Sequence, residues 1–265
     1  MNNENSIDDE LNSFTIESID ESFSQILKQA TLDKSPIQVL KIIRKELNKI
    51  IIPSQLLDKR TPNIKLYRVT LAFDGFNEKD INHFSYPPLE YASMGRANIE
   101  KHPVLYCAAD QKTAIKEMKD NLKTGDTFYI SEWDLSYEKD TMFHSLMYNS
   151  STIKETGIRN FLANSFKGKL DIYSEGIISY LQMKIGNLFS LPNNEHYNIT
   201  SAYAYDILYE LNSSLKQNIF IIYPSLKSIE QGINFAFPPS MIVDKSVSLI
   251  KVGKYTLKDI TKDGD

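Results

Sequence analysis

The order of strand-like and helix-like segments constrains the fold of this chain more than any other sequence feature. Apolar runs typical of strands occupy residues 64–72, 104–108, 128–135 and 219–223, with shorter strands predicted near 241–243, 247–252 and 255–257. Apolar residues recur at helical spacing in residues 110–122, 153–166, 174–185 and 201–215. A doubly wound sheet needs strands and helices in regular alternation, and this chain has none. The order therefore predicts an α+β fold with a mixed β core and surrounding helices.

The first 60 residues differ from the rest in their pattern. Residues 1–13 are polar and acidic, which predicts a disordered tail. Residues 14–60 are predicted to form an N-terminal helical hairpin, because apolar residues recur at helical spacing on both sides of Ser35-Pro36, a typical helix start. The hairpin ends in a predicted linker at 53–63. We expect it to pad the main domain at 61–265, and binding of a partner protein is the alternative.

Composition excludes several classes of protein. The 265 residues are 42% hydrophobic and 24% charged, which suffices for a globular core, and the net charge of -4 offers no basic surface for a nucleic acid. No stretch approaches the roughly 20 apolar residues of a membrane span. The N-terminus lacks the basic and apolar regions of a signal peptide. We therefore expect a cytoplasmic protein that binds neither nucleic acid nor membrane.

Motifs for metal ions and for phosphate loops are also missing. Cys107 is the single cysteine, lies in an apolar run and rules out an intrachain disulfide, while the four histidines are scattered. No glycine-rich phosphate loop, HExxH motif or GxSxG nucleophile elbow occurs. We therefore expect no metal site, and side chains would have to hold any phosphate-bearing ligand.

The position of Arg68 is hard to explain as that of an ordinary surface charge. It shares one face of a predicted strand with Ile64 and Leu66, and a charge on an apolar face is costly unless it is paired. Two interpretations remain open. Arg68 forms an ion pair with a carboxylate such as Glu117 or Asp134, or its guanidinium grips a phosphate of a ligand.

Four other polar residues have an ordinary interpretation beside a functional one. Arg96 lies in a loop of small residues, which suits an exposed arginine as well as a ligand contact. Glu117 lies on the flank of a helical apolar stripe, where a carboxylate is usually solvated. Ser225 would cap a helix at 226–230, and Asn234 would suit a turn.

The order of the segments that contain these residues is more specific than any one of them. The segments are Leu66-Tyr67-Arg68-Val69, Gly95-Arg96-Ala97-Asn98, Pro103-Val104-Leu105-Tyr106-Cys107-Ala108, Thr113-Ala114-Ile115-Lys116-Glu117, Ile222-Tyr223-Pro224-Ser225 and Asn234-Phe235-Ala236. This series resembles the RES domain family, which is named after an arginine, a glutamate and a serine. Arg68 or Arg96, Glu117 and Ser225 are the matching positions, and the resemblance covers roughly residues 64–252.

The resemblance implies a fold related to ADP-ribosyltransferases, with NAD held in a central cleft. It implies a bacterial toxin of a toxin–antitoxin system that cleaves the nicotinamide–ribose bond by phosphorolysis or hydrolysis. Inorganic phosphate would be a co-substrate, no cofactor beyond NAD would be needed, and a cognate antitoxin would be a partner. The catalytic residues implied are Glu117, Arg68 and Ser225. The NAD-binding residues implied are Arg68, Arg96, Tyr106, Asn98, Ser225 and Asn234, with Tyr106 stacked on nicotinamide.

The chemistry of the residues fits this expectation, although two positions depart from the family. A carboxylate such as Glu117 would stabilise an oxocarbenium-like transition state, and arginines would hold phosphates. The family usually has a tryptophan where this chain has Ala97 and a glycine where it has Lys101. Both changes would loosen the nicotinamide end of the cleft. Two other functions stay open: a protein ADP-ribosyltransferase, and an inactive RES-like scaffold whose hairpin binds a partner.

Overall fold

The computed structural model describes residues 7–47, 52, 54–57, 64–136, 141–148, 157–191, 196–225 and 232–258. Its strands are β1 (Gln55–Leu56), β2 (Leu66–Leu71), β3 (Leu105–Ala108), β4 (Thr127–Leu135), β5 (Thr141–Ser145), β6 (Asn218–Pro224), β7 (Ile233–Phe237) and β8 (Val247–Thr256). Its α-helices are α1 (Ile7–Leu11), α2 (Ile16–Gln29), α3 (Pro36–Glu46), α4 (Gln111–Met118), α5 (Gly157–Ala163), α6 (Ile172–Phe189), α7 (Tyr197–Tyr205), α8 (Asn212–Leu215) and α9 (Pro239–Val243). These elements confirm the predicted α+β fold. None of the helices described is both long and apolar enough to cross a bilayer.

The eight-stranded sheet consists of two well-paired halves. In one half, β2 pairs along its whole length with β4, and β4 pairs in turn with β8. In the other half, β3, β7, β6, β5 and β1 are neighbours in that order, with β5 and β6 parallel. Within the described residues, the halves are joined by one register pair between β2 and β3, Tyr67 opposite Ala108. The two strands separate beyond this pair, which opens a seam in the sheet.

The N-terminal hairpin is part of the main hydrophobic core. Thr15 and Ser35 cap α2 and α3, because the hydroxyl of each accepts a hydrogen bond from a backbone N–H in the first turn. Ile19 and Phe23 of α2 and Val39 of α3 are buried in one cluster with residues of α6 and α7. The hairpin therefore covers the helical side of the sheet and shares its core.

Part of the N-terminal tail is folded, which corrects the prediction of disorder over residues 1–13. Residues 7–11 form α1, and Leu11 is buried in the helical core. Two hydrogen bonds tie this segment to the start of α6: Asp171 donates its backbone N–H to Asp8 Oδ1, and Asn12 Nδ2 donates to Asp171 Oδ2. Residues 1–6 lie outside the described residues.

Several element predictions also need correction. The expected strand at 241–243 is part of helix α9, because Pro239 in the first turn suits a helix start. The predicted linker contains β1, and β8 is one continuous strand rather than two. The sequence pattern does not predict β5 or β7. Most residues of both strands are buried, so the alternation of apolar and polar residues that marks a half-exposed strand is lost.

A buried histidine makes the stability of this fold depend on pH. His144 in β5 is fully buried, with Nε2 2.8 Å from the Tyr203 hydroxyl and Nδ1 3.3 Å from Ser54 Oγ. Loss of solvation lowers the pKa of His144 to about 3, whereas the pKa of an unfolded histidine is about 6.5. Between these values the unfolded chain binds a proton that the folded chain does not bind. Stability should therefore rise with pH through this window and fall as the solution is acidified.

We expect His144 alone to lower the free energy of unfolding by about 2 kcal/mol between pH 7 and pH 5. Urea unfolding at both pH values measures this loss, and the His144→Gln variant serves as the control. The variant should lose less stability on acidification than the wild type. An identical pH dependence in both proteins would contradict the assignment of a neutral, buried imidazole.

Candidate functional site

A pocket of about 110 Å³ lies at the seam between the two halves of the sheet. The residues that line it come from β2, β3, α4, β6 and β7 and are Tyr67, Arg68, Val69, Tyr106, Cys107, Ala108, Ala114, Glu117, Met118, Tyr223 and Asn234. The strand register explains why three of them meet. Ala108, Asn234 and Tyr223 are opposite one another on β3, β7 and β6, and paired residues of neighbouring strands project to the same face.

Glu117 is held at the pocket by two of the residues predicted to act with it. Asp110 caps α4 by accepting a hydrogen bond of 2.8 Å from the backbone N–H of Thr113. Near the end of the helix, Glu117 Oε1 accepts a hydrogen bond of 2.6 Å from Ser225 Oγ and one of 2.7 Å from Asn234 Nδ2. Two polar residues that lie far from Glu117 in the sequence thus converge on its carboxylate.

These contacts differ from what the ordinary interpretations of Glu117, Ser225 and Asn234 predict. Glu117 is only partly exposed and hydrogen-bonded rather than a solvated helix carboxylate. Asn234 lies in the interior of β7 with 2% exposure and does not form a turn. The Ser225 hydroxyl donates to Glu117, and the segment 226–230 that it was alternatively expected to cap lies outside the described residues.

Arg68 has no carboxylate partner in the part of the chain that the structure describes. Neither Glu117 nor Asp134 forms an ion pair with it, so the structural-pair interpretation is wrong for these two residues. Nη1 donates to the carbonyl oxygen of Tyr106 at 3.2 Å across the seam, whereas Nε is buried without a hydrogen-bond partner. Loss of solvation lowers the pKa of Arg68 from its usual value. Such a guanidinium suits an anionic ligand.

Tyr106 stabilises the loop that contains Arg96 through hydrogen bonds. Its hydroxyl accepts a hydrogen bond of 2.9 Å from the backbone N–H of Ala97 and donates one of 2.8 Å to Asn98 Oδ1. Asn98 Nδ2 donates in turn to the carbonyl oxygens of Ser93 and Ile99. The polar groups of Asn98 are therefore used within the loop, and it does not line the pocket. The ring of Tyr106 lines the pocket, while its hydroxyl holds the loop in place.

Arg96 lies beside the pocket rather than in its lining. Its guanidinium carbon is 5.6 Å from the centre of the Tyr197 ring, its Nη2 is 3.5 Å from the Tyr197 hydroxyl, and its Nε is buried without a partner. Burial raises the pKa of Tyr106 and of Tyr223, and the nearby charge of Arg96 opposes this rise in both. Arg96 is therefore a second cation near the pocket without a carboxylate partner among the described residues.

The two departures from the family pattern have different structural settings. Lys101 has a φ of 61°, in the left-handed region that favours glycine, so a glycine at this place in the family has a clear conformational reason. Ala97 is fully buried, and its backbone N–H is bonded to Tyr106. The loop is thus ordered with Ala97 and Lys101 in place of the tryptophan and the glycine of the RES pattern.

Gly95 is required for the close packing of this loop. A Cβ atom at this position would lie 2.6 Å from Asn98 Oδ1 and 2.9 Å from the Tyr106 hydroxyl. Gly95→Ala should therefore break the bond between Tyr106 and Asn98 and destabilise the protein by about 1–3 kcal/mol in chemical denaturation. Gly176→Ala in α6 is the control, because no atom would lie within 4 Å of its Cβ. Equal losses of stability in both variants would refute this role of Gly95.

Sequence reasoning assigned no function to two tyrosines of this region. Tyr197 begins α7 and contacts Arg96, but no motif in the surrounding sequence marks it. Tyr223 lies in the Tyr223-Pro224-Ser225 segment, where its position two residues before Ser225 was the available signal. Cys107 also lines the pocket, but burial raises the pKa of its thiol to about 12, so it stays protonated at neutral pH.

Two other features of the described residues bear on the choice of site. No group of three or more histidine, cysteine, aspartate or glutamate residues in the described ranges is arranged to hold a metal ion. A larger, open groove of about 790 Å³ lies near α8 and α9. Its charged residues are Lys216 and Asp244, and Asp244 is already hydrogen-bonded to Asn218. The pocket at the seam, in contrast, combines a hydrogen-bonded carboxylate with two nearby guanidinium groups that have no carboxylate partner among the described residues.

Comparisons with known proteins give a structural likeness. No protein-family model matches this chain, and no curated protein matches it. The fold is similar to a chain in the crystal structure of the M. tuberculosis MbcT–MbcA toxin–antitoxin complex, with a TM-score of 0.40 and 12% sequence identity. The likeness covers 86% of this chain and 99% of that chain.

Proposed function

We propose that this protein cleaves the bond between nicotinamide and ribose in NAD. The observation that carries the proposal is the pairing of opposite charges across one small pocket. Glu117 is held there by Ser225 and Asn234, and Arg68 lines the same pocket without a carboxylate partner among the described residues. Such a pocket can stabilise a positive centre and an adjacent phosphate in one ligand.

The proposed reaction needs little acid–base chemistry from the protein. The bond from the ribose carbon to the nicotinamide nitrogen breaks, and its electron pair stays on nicotinamide, which leaves as a neutral molecule. The ribose then carries an oxocarbenium-like positive charge. The Glu117 carboxylate would stabilise this charge and orient a ribose hydroxyl. Water or inorganic phosphate adds to the ribose carbon through an oxygen atom, and water loses a proton in doing so.

The arginines would bind the phosphate groups. Arg68 reaches into the pocket and has a buried Nε without a partner, and Arg96 has the same feature beside the pocket. A pocket of about 110 Å³ is smaller than the ~300 Å³ of a typical small-molecule site. It would therefore hold one ring of the dinucleotide, with the pyrophosphate toward the arginines and the remainder outside. The Tyr106 ring would stack on nicotinamide, as the family resemblance implies.

The test is to incubate purified protein with NAD, with and without inorganic phosphate, and to follow nicotinamide release. ADP-ribose as the second product would indicate hydrolysis, and a phosphorylated ADP-ribose formed only with phosphate would indicate phosphorolysis. Isotope-labelled NAD distinguishes both from transfer of ADP-ribose to a protein, because transfer would label a protein band. Unchanged NAD in every mixture at high protein concentration would refute the proposal and favour an inactive scaffold.

The proposal extends to a toxic effect in cells. A protein that destroys NAD should stop the growth of a bacterium that expresses it without an antitoxin partner. Growth should recover when Glu117→Ala is expressed at the same level, because this variant lacks the proposed active-site charge. Normal growth with the wild-type protein at high expression would contradict the toxin assignment.

A further inference from the structure

Tyr223 occupies a fixed position in the pocket. It lies opposite Asn234 in the register of β6 and β7, so the two side chains project to the same face. Its ring packs against Phe189 with 5.2 Å between the ring centres. Asn234 in turn donates to Glu117. Tyr223 and Glu117 therefore line the same pocket, and both are fixed there through Asn234 or its strand neighbour.

The hydroxyl of Tyr223 has no hydrogen-bond partner among the described residues, although the residue is only 3% exposed. Two other tyrosines of this core have hydrogen-bonded hydroxyls: partly buried Tyr106 bonds to Ala97 and Asn98, and the hydroxyl of buried Tyr203 is 2.8 Å from His144 Nε2. This hydroxyl is not one of the fully buried polar atoms that lack a partner in the described residues, so water in the pocket can still reach it. A ligand oxygen that enters the pocket can replace this water as the hydrogen-bond partner of Tyr223.

The hydroxyl can act only as a neutral group. Burial is the main cause that raises the pKa of Tyr223 well above its usual value, and the charge of Glu117 raises it further. Tyr223 therefore keeps its proton at neutral pH and can donate one hydrogen bond. Its surroundings contain a carboxylate that accepts, Glu117, and a guanidinium, Arg96. A ligand hydroxyl could therefore donate a hydrogen bond to Glu117 and accept one from Tyr223.

We infer that Tyr223 is a substrate-binding residue that donates its hydroxyl proton to a ribose hydroxyl oxygen in the nicotinamide half of NAD. The same ribose hydroxyl would donate its own proton to Glu117. Tyr223 would thereby fix the orientation of the ribose at the carbon where the bond breaks. This inference rests on the proposed function and names a contact that the family resemblance does not supply.

The test compares Tyr223→Phe with the wild type in two measurements. The substitution removes only the hydroxyl, so the thermal unfolding midpoint should stay the same or rise, because no hydrogen bond to a described residue is lost. The kcat/KM for NAD cleavage should fall about 5- to 20-fold, as expected for the loss of one ligand hydrogen bond. A purely structural tyrosine would give the opposite pattern.

Tyr203→Phe is the matched control, because Tyr203 is as deeply buried but its hydroxyl contacts His144. It should lower the unfolding midpoint and leave kcat/KM close to the wild-type value. Full activity of Tyr223→Phe beside an active wild type would overturn the inference alone. A lower unfolding midpoint of Tyr223→Phe would also overturn it. An inactive wild type would refute the proposed function and remove the inference with it.

Discussion

Glu117→Gln is expected to reduce the rate of NAD cleavage by about 100- to 1000-fold while the protein stays folded. Glutamine keeps a side-chain oxygen that can accept the hydrogen bonds from Ser225 and Asn234. It lacks the negative charge that would stabilise the oxocarbenium-like centre. The loss should therefore appear in kcat rather than in the unfolding midpoint. Nicotinamide release under saturating NAD measures the first quantity, and thermal unfolding measures the second.

Glu78→Gln provides a control with the same chemical change at a similar set of contacts. Glu78 Oε2 accepts hydrogen bonds from the Tyr129 hydroxyl at 2.9 Å and from Lys254 Nζ at 3.1 Å, and it does not line the pocket at the seam. This variant should keep its activity. If Glu117→Gln retained more than about a tenth of the wild-type kcat, the carboxylate would not be the group that stabilises the transition state.

Arg68→Met should make the protein more stable and much less active. The Arg68 guanidinium is partly buried, has no carboxylate partner among the described residues, and carries a buried Nε without a partner. Replacing such a charge with an apolar side chain of similar length should raise the free energy of unfolding by about 1–2 kcal/mol, net of the lost bond to Tyr106. The kcat/KM for NAD should fall about 10- to 100-fold, because charged hydrogen bonds to phosphate are lost.

Arg44→Met is the control with the opposite expected effect on stability. Arg44 forms an ion pair with Asp206, which is 5% exposed, so its removal leaves a buried carboxylate without this partner. Urea unfolding should show a lower midpoint for Arg44→Met and a higher one for Arg68→Met. A clear loss of stability in Arg68→Met would mean that the guanidinium serves the fold, and the proposed anion site would lose its main support.

Local signals in the sequence predict some elements well. The Asp110 cap places the start of α4, and the Ser35-Pro36 pair places the start of α3, because a helix start depends on neighbouring residues. The β2 and β4 strands follow from apolar runs near the predicted bounds. The β7 strand cannot be predicted in this way, because a strand buried on both faces has no alternation of apolar and polar residues. Its Asn234 suggests a turn instead.

The sequence by itself determined the α+β class and the order of the polar residues that could form a site. Tertiary structure alone decided which of them meet: Glu117 bonds to Ser225 and Asn234, Arg68 pairs with no described carboxylate, and Asn98 serves its own loop. Tyr223 joins the site only because β6 and β7 pair in one register. The physical reason is that the contacts of Glu117 join residues more than 100 positions apart in the chain, whereas propensities and caps act over a few neighbours.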